Sequence, residues 1–476
     1  MNNFYSLIIF FTACVSLLFC QRIFAQNSLN NDQCLICHEV LDGRFKKPAD
    51  LFKNDIHHLK GVTCADCHGG ISTEEDQDKA MDSSAGFIGV PKGRNVVNVC
   101  AKCHKKETNA FLKSFHGTGA KGKQPIIVNC IVCHGIHNIV PVKNKNSAVN
   151  GINIVNKCSG CHSNASFMKK YNPKIRSDQL INYKLSKHGK NVFKGDPKSP
   201  TCATCHGNHD IKRIDDPASQ VYHKNIPNTC NKCHGDSLYM KNYNIPTNQH
   251  EEFKKSVHGV ALFEKEVSNA PNCTNCHDNH GAVVPEVTSV SRICGACHEK
   301  NHEYFENSPH KNAFLKDNKN DCVVCHSNHG IKKPDDEMLG AGDRSVCVKC
   351  HSPDDKGYIA AVKMKLMIDS LVKVVETANQ SLFRAEQLGM DVSEGKFEWN
   401  EINEVLMLAR TETHTANTEK FTNTINNGFR LTEKAVMISE NAESQFHERK
   451  YWLGLSILSS LILITAVVLK IRKLNR

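Results

Sequence analysis

Between Cys34 and His351 the chain writes the pattern C-x-x-C-H eleven times. The first cysteines run from 34 to 347, so one motif falls about every 31 residues. Segments that short cannot each bury a side-chain core. Whatever the motifs hold must fill the interior. The cysteine pairs are Cys34 and Cys37, Cys64 and Cys67, Cys100 and Cys103, Cys130 and Cys133, Cys158 and Cys161, and Cys202 and Cys205. They continue with Cys230 and Cys233, Cys273 and Cys276, Cys294 and Cys297, Cys322 and Cys325, and Cys347 and Cys350. The histidines that follow are His38, His68, His104, His134, His162, His206, His234, His277, His298, His326 and His351.

Two thiols and an adjacent imidazole suit covalent attachment of haem c, the thiols adding to the porphyrin vinyl groups and the imidazole reaching the iron. A disulfide framework would not demand a histidine after every second cysteine. Structural zinc uses C-x-x-C pairs but takes its histidines later and in pairs. A redox dithiol needs one such motif, not eleven. The expected cofactor is therefore haem c, eleven per chain.

A haem iron has a second axial position, and the sequence offers imidazoles for it. Four segments read S-x-H, a gap, C-x-x-C-H-x-x-H, a gap, then C-x-x-C-H. They begin at Ser114, Ser186, Ser256 and Ser308. Their spare histidines are His116 and His137, His188 and His209, His258 and His280, and His310 and His329. Recurrence at fixed positions marks them as axial ligands, one per haem. An earlier, divergent repeat around Cys64 and Cys100 carries His57 and His58 upstream, and these complete the ligand set. The Cys34 haem stands alone. His223, His250, His302, His414 and His447 are left over, and the pairing of ligand with iron stays open.

The ends of the chain address it to a membrane. Residues 1–25 resemble a secretory leader, with an apolar stretch from Leu7 to Phe19 and a cleavage site at Ile23-Phe24-Ala25. A lipoprotein signal ending at Cys20 is the rival, disfavoured by the bulky Phe19. A second apolar run, Trp452 to Leu469, would span roughly 27 Å as a helix, close to a bilayer's hydrocarbon thickness. Lys470, Arg472, Lys473 and Arg476 follow it, which places the tail in the cytoplasm and the rest outside. The expected location is the inner membrane, single-pass, with the haem domain on the periplasmic side. The formal charge of +11 is offset by the haem propionates, and lysines such as Lys102, Lys105, Lys106, Lys187, Lys232 and Lys349 are placed to face them or solvent. No stacking aromatics accompany the basic residues, which argues against nucleic acid.

After His351 there are no cysteines. Met364, Ile368, Leu371, Val375, Ala378, Leu382 and Ala385 alternate at spacings of four and three, a heptad seam. The seam breaks at Gly389 and Gly395; a second helical stretch follows from about Glu398, with a bend expected near Asn426-Asn427-Gly428. The expected fold is mainly α with much irregular loop: haem-stacked repeats, a long helical hairpin and one transmembrane helix. The domains are a leader (1–25), an undecahaem domain (26–352), a hairpin or stalk (353–450), a membrane span (451–470) and a cytoplasmic tail (471–476).

Three stretches carry a resemblance. CADCHGGISTEEDQDKAMDSSAGFIGVPKGRNVVNVCAKCH resembles the opening haem pair of periplasmic multihaem cytochromes c, and CATCHGNHDIKRIDDPASQVYHKNIPNTCNKCH resembles their repeated pair. AEQLGMDVSEGKFEWNEINEVLMLARTETH is similar to the helical segment after the last haem, with a distant similarity to the hydroxylamine oxidoreductase and pentahaem nitrite reductase superfamily. The resemblance implies electron transfer, bis-histidine ligation and low potentials. It also implies partners that are redox proteins or a membrane quinol-oxidising complex. This chain lacks the C-x-x-C-K motif of nitrite reductase. Two function classes follow: an electron carrier, or an oxidoreductase acting on a small nitrogen or sulphur compound at one open haem. The second needs an iron without a sixth ligand, and the unpaired Cys34 haem is the place to look. A membrane redox sensor is a third, weaker reading, since the tail is too short for a signalling domain.

Overall fold

The computed structural model describes residues 32–118, 128–283, 285 and 290–475. The leader lies outside them. The described residues are mostly helical, with no strand among them. They fall into two compact units, Met1–His250 with Ala261–Val284, and Glu251–Val260 with Pro285–Arg476.

In the first unit the helices are short because the motifs set their length. The first motif of each repeat sits on a five-residue helix: Cys64–His68, Cys130–His134, Cys202–His206 and Cys273–His277. Each ends where the next residue takes a positive φ with extended ψ, at Gly69, Gly135, Gly207 and Asp278. This region is nearly closed to side chains. At Gly69 a Cβ would also lie 1.9 Å from the Gly86 carbonyl oxygen. Two of the second motifs instead close longer helices, Gly151–His162 and Ile226–His234. Buried apolar side chains are scattered here, apart from the small group of Leu35, Ala49 and Phe52. A unit of this size with so little packed hydrocarbon has its interior reserved for something else.

The serine of S-x-H now has a function. Ser114, Ser186 and Ser256 are buried, and each hydroxyl donates to the carbonyl three residues before it. Each also accepts from the glycine amide three residues after it, at Gly117, Gly189 and Gly259. The glycines are required: a Cβ would stand 1.9–2.0 Å from the Phe111, Tyr183 or Phe253 carbonyl oxygen. The intervening histidine is thus held on a rigid turn. Asp55 takes the serine's place in the divergent repeat, buried and accepting from the His57 and Ile139 amides.

Successive repeats are latched by backbone. The residue just before the histidine of S-x-H donates its amide to the carbonyl two residues beyond the next repeat's trailing histidine. Ile56 reaches Ile139 at 2.7 Å and Phe115 reaches Ile211 at 2.8 Å in the first unit. Val257 reaches Ile331 at 2.9 Å within the second.

The second unit contains the last motifs and three long helices, Lys356–Gln387, Ser393–Glu412 and Thr418–Leu474. The expected heptad seam is buried at all seven positions. Met364, Ile368, Leu371, Val375, Leu382 and Ala385 pack with Ile402, Leu406, Phe421, Ile425 and Leu431, so a conventional hydrophobic core forms where the motifs have stopped. The helical segment has one more arm than a hairpin. The chain turns at Thr413–Thr415, with Ala416 left-handed and Asn417 capping the third helix through the Glu419 and Lys420 amides. No bend occurs at Gly428. That glycine instead lets helices approach, a Cβ there meeting Leu371 at 2.7 Å. The third helix, 57 residues long, ends in an exposed apolar segment long enough to cross a membrane.

Candidate haem centres

Imidazoles on opposite faces of one iron, each nitrogen about 2 Å from the metal, hold their ring centroids roughly 6 Å apart. Nine motif histidines meet a second histidine at that separation. In the first unit the pairs are His104 with His57, His68 with His137, and His162 with His116, at 6.0, 6.0 and 6.2 Å. His134 with His209, His234 with His188, and His206 with His280 follow at 6.0, 6.0 and 6.1 Å. In the second unit they are His298 with His258, His351 with His310, and His326 with His414, at 6.3, 6.0 and 6.0 Å. The rings are too far apart for mutual contact and too regular for chance. A six-coordinate haem fits between each pair. Among the described residues no three His, Cys, Asp or Glu side chains gather as a bare-metal site would require.

The pairs obey a rule that the sequence left open. The histidine of S-x-H, or of Asp55-Ile56-His57, faces the second motif of its own repeat. The trailing histidine of C-x-x-C-H-x-x-H faces the first motif of the repeat before it, as His137, His209 and His280 show. The two classes also differ in ring orientation. First-motif pairs are nearly parallel, at 12–20°. Second-motif pairs are tilted by 35–89°.

Second contacts set the tautomer. Nδ1 of His68, His277 and His414 donates to the carbonyls of Gly89, Val283 and Thr411 at 2.7, 2.9 and 2.9 Å. Nδ1 of His57 and His351 donates instead to the carboxylates of Asp55 and Asp355, at 2.8 and 3.0 Å. In each case Nε2 keeps its lone pair, the arrangement that serves a metal ligand. Burial acts in the same direction, pushing His188 and His206 down to about 4 and lowering His116, His162 and His414, so these rings are neutral at pH 7. His57 differs: the Asp55 carboxylate raises it against the effect of burial.

The cysteines place consecutive motifs side by side. Across repeats the first thiols lie against each other: Cys100 with Cys130, Cys158 with Cys202, Cys230 with Cys273, and in the second unit Cys294 with Cys322. Within repeats the second thiols are in electrostatic reach, Cys67 of Cys103, Cys133 of Cys161, Cys205 of Cys233 and Cys325 of Cys350. Cys34 neighbours Cys64. Spatial order therefore follows sequence order through eight motifs of the first unit and three of the second.

Of the remaining histidines, His58 packs its ring on Phe52 at 5.2 Å rather than facing another imidazole. His329 lies in the second unit, its amide bonded to Asn328. His223 is engaged at both ring nitrogens, by the Ala270 carbonyl and the Asn272 amide. His250 meets Asn228, His302 approaches Glu306, and His447 is exposed against Phe446. His414, a leftover in the sequence, acquires a motif partner. The sequence signal was positional: if trailing histidines serve the preceding repeat, the last repeat must borrow from beyond the motifs.

Three family models match parts of the chain: cytochrome c552 over residues 46–124, cytochrome c554 and c-prime over 20–69, and the doubled CXXCH motif over 316–356. No curated protein and no solved structure matches. With the motifs, these matches support a multihaem c-type cytochrome with covalently bound haem.

Proposed function

We propose that the chain is a membrane-anchored electron conduit holding eleven haems c, one at each motif, on the periplasmic side of the inner membrane. Bound haem supplies a one-electron iron couple at each position. The protein's part is to tether, order and close. The twenty-two motif cysteines fix each group covalently. With haem bound, each of the nine imidazole pairs would supply two nitrogen ligands to one iron, leaving no position there for a small molecule. The latched repeats hold successive centres in sequence order within each unit. The C-terminal apolar helix, followed by Lys470, Arg472 and Lys473, anchors the chain near a membrane donor, a quinol-oxidising complex or a redox protein.

The observation that carries this reading is the set of nine imidazole pairs at 6.0–6.3 Å. Alkaline pyridine spectra of the purified chain should count eleven haems per polypeptide. A titration should reduce them over a broad, low range of potential, with most irons low-spin. A count near zero, or mainly high-spin iron, would remove the proposal.

A further inference from the structure

The motif at Cys34 departs from the rule that the nine paired motifs establish. His38 has the proximal arrangement, its Nδ1 donating to the Phe45 carbonyl at 3.2 Å. Its ring contact is Phe45, edge-on at 6.4 Å; among the described residues no second histidine faces it at the separation seen in the nine pairs. Neither nearby candidate is seen to meet it. His57 faces His104 and is fixed there by Asp55. His58 is turned onto Phe52, beside Leu35 and Ala49 in the small apolar group. The segments outside the described residues contain no histidine at all.

We infer that the haem at Cys34, Cys37 and His38 is five-coordinate and takes an exogenous ligand. This rests on the haem reading above. The ligand class is a small π-acceptor, because an iron held by a single neutral imidazole would offer one open position and, when reduced, electron density to a π-acid. Coordination forms one iron–ligand bond and displaces at most a water; no other reactant is needed. The position is the end of the eight-motif series, with Cys34 beside Cys64, so a ligand bound there sits one step from the conduit.

The test uses the full-length, haem-loaded protein in detergent. Carbon monoxide should bind the reduced form at about one site per eleven haems, and low-temperature electron paramagnetic resonance of the oxidised form should show a high-spin signal of matching size that cyanide converts to low-spin. Replacing both Cys34 and Cys37 by Ala should abolish both signals and lower the haem count by one. His58→Ala should leave the wild-type signals unchanged. If the wild type carries eleven haems but shows no high-spin iron and binds no carbon monoxide, the open site is wrong while the haem reading stands. A high-spin signal created only by His58→Ala would identify His58 as the sixth ligand and overturn the inference, as would a signal that survives loss of the Cys34 motif. If the cysteine variant fails to fold, the wild-type stoichiometry decides alone. A chain without haem would remove both readings together.

Discussion

Single residues tune otherwise similar centres. Most motif histidines with a visible second contact donate Nδ1 to a backbone carbonyl, but His351 donates to the Asp355 carboxylate. The Tyr358 amide first, and then the His351 ring, hold that carboxyl below its usual range, so it is ionised at neutral pH. A carboxylate behind an imidazole makes it a stronger donor and favours the oxidised iron. Asp355→Asn should therefore raise one midpoint in a redox titration while the haem count stays at eleven. A titration curve unchanged from wild type would show that Asp355 serves only to cap the helix at Lys356. The motifs were legible because the chemistry needs those side chains at those spacings, and eight of the spare histidines assigned as ligands do face a motif histidine. Asp55 and Asp355 were not legible, since nothing in a sequence marks which carboxylate will lie behind an imidazole.

At the scale of elements, the short helices show how loop chemistry aims ligands. Gly189 in the Ser186 turn has no room for a Cβ, which would lie 1.9 Å from the Tyr183 oxygen. Gly189→Ala should cost about 1–3 kcal/mol in chemical denaturation, by the usual cost of overpacking. Ser327 is the converse case. It occupies at φ 68° and ψ −175° a region that Gly69, Gly135 and Gly207 fill without strain. Ser327→Gly should stabilise by up to ~1 kcal/mol in the same measurement, offset in part by glycine's greater freedom when unfolded. The heptad seam was readable because its apolar period is unbroken. The turn at His414 was not, because THTAN holds neither glycine nor proline, and Asn426-Asn427-Gly428 imitates a breaker where helix packing wants a small residue.

Over the whole molecule, two ways of making an interior are joined in one chain. The motif region packs little hydrocarbon around its paired imidazoles, while the three long helices pack a core of their own. That bundle is more than a spacer. Arg410 clamps Asp336 with two contacts of 2.8 Å, and the turn beside it carries His414 to His326. Deleting residues 451–476 should release a haem-loaded protein into the soluble fraction with an unchanged spectrum. His414→Ala should add one high-spin iron, at the Cys322 haem, detectable as a second carbon monoxide site. Unaltered spin state would place the sixth ligand of that haem elsewhere.

The borrowing of trailing histidines also has a temporal side. His68 waits for His137, sixty-nine residues downstream, His134 for His209 and His206 for His280. A chain emerging from its N-terminus can load each porphyrin early yet finish it only when the following segment arrives. If haem is loaded as the chain emerges, completion would run like a zipper in the direction of synthesis, with His414 the last tooth.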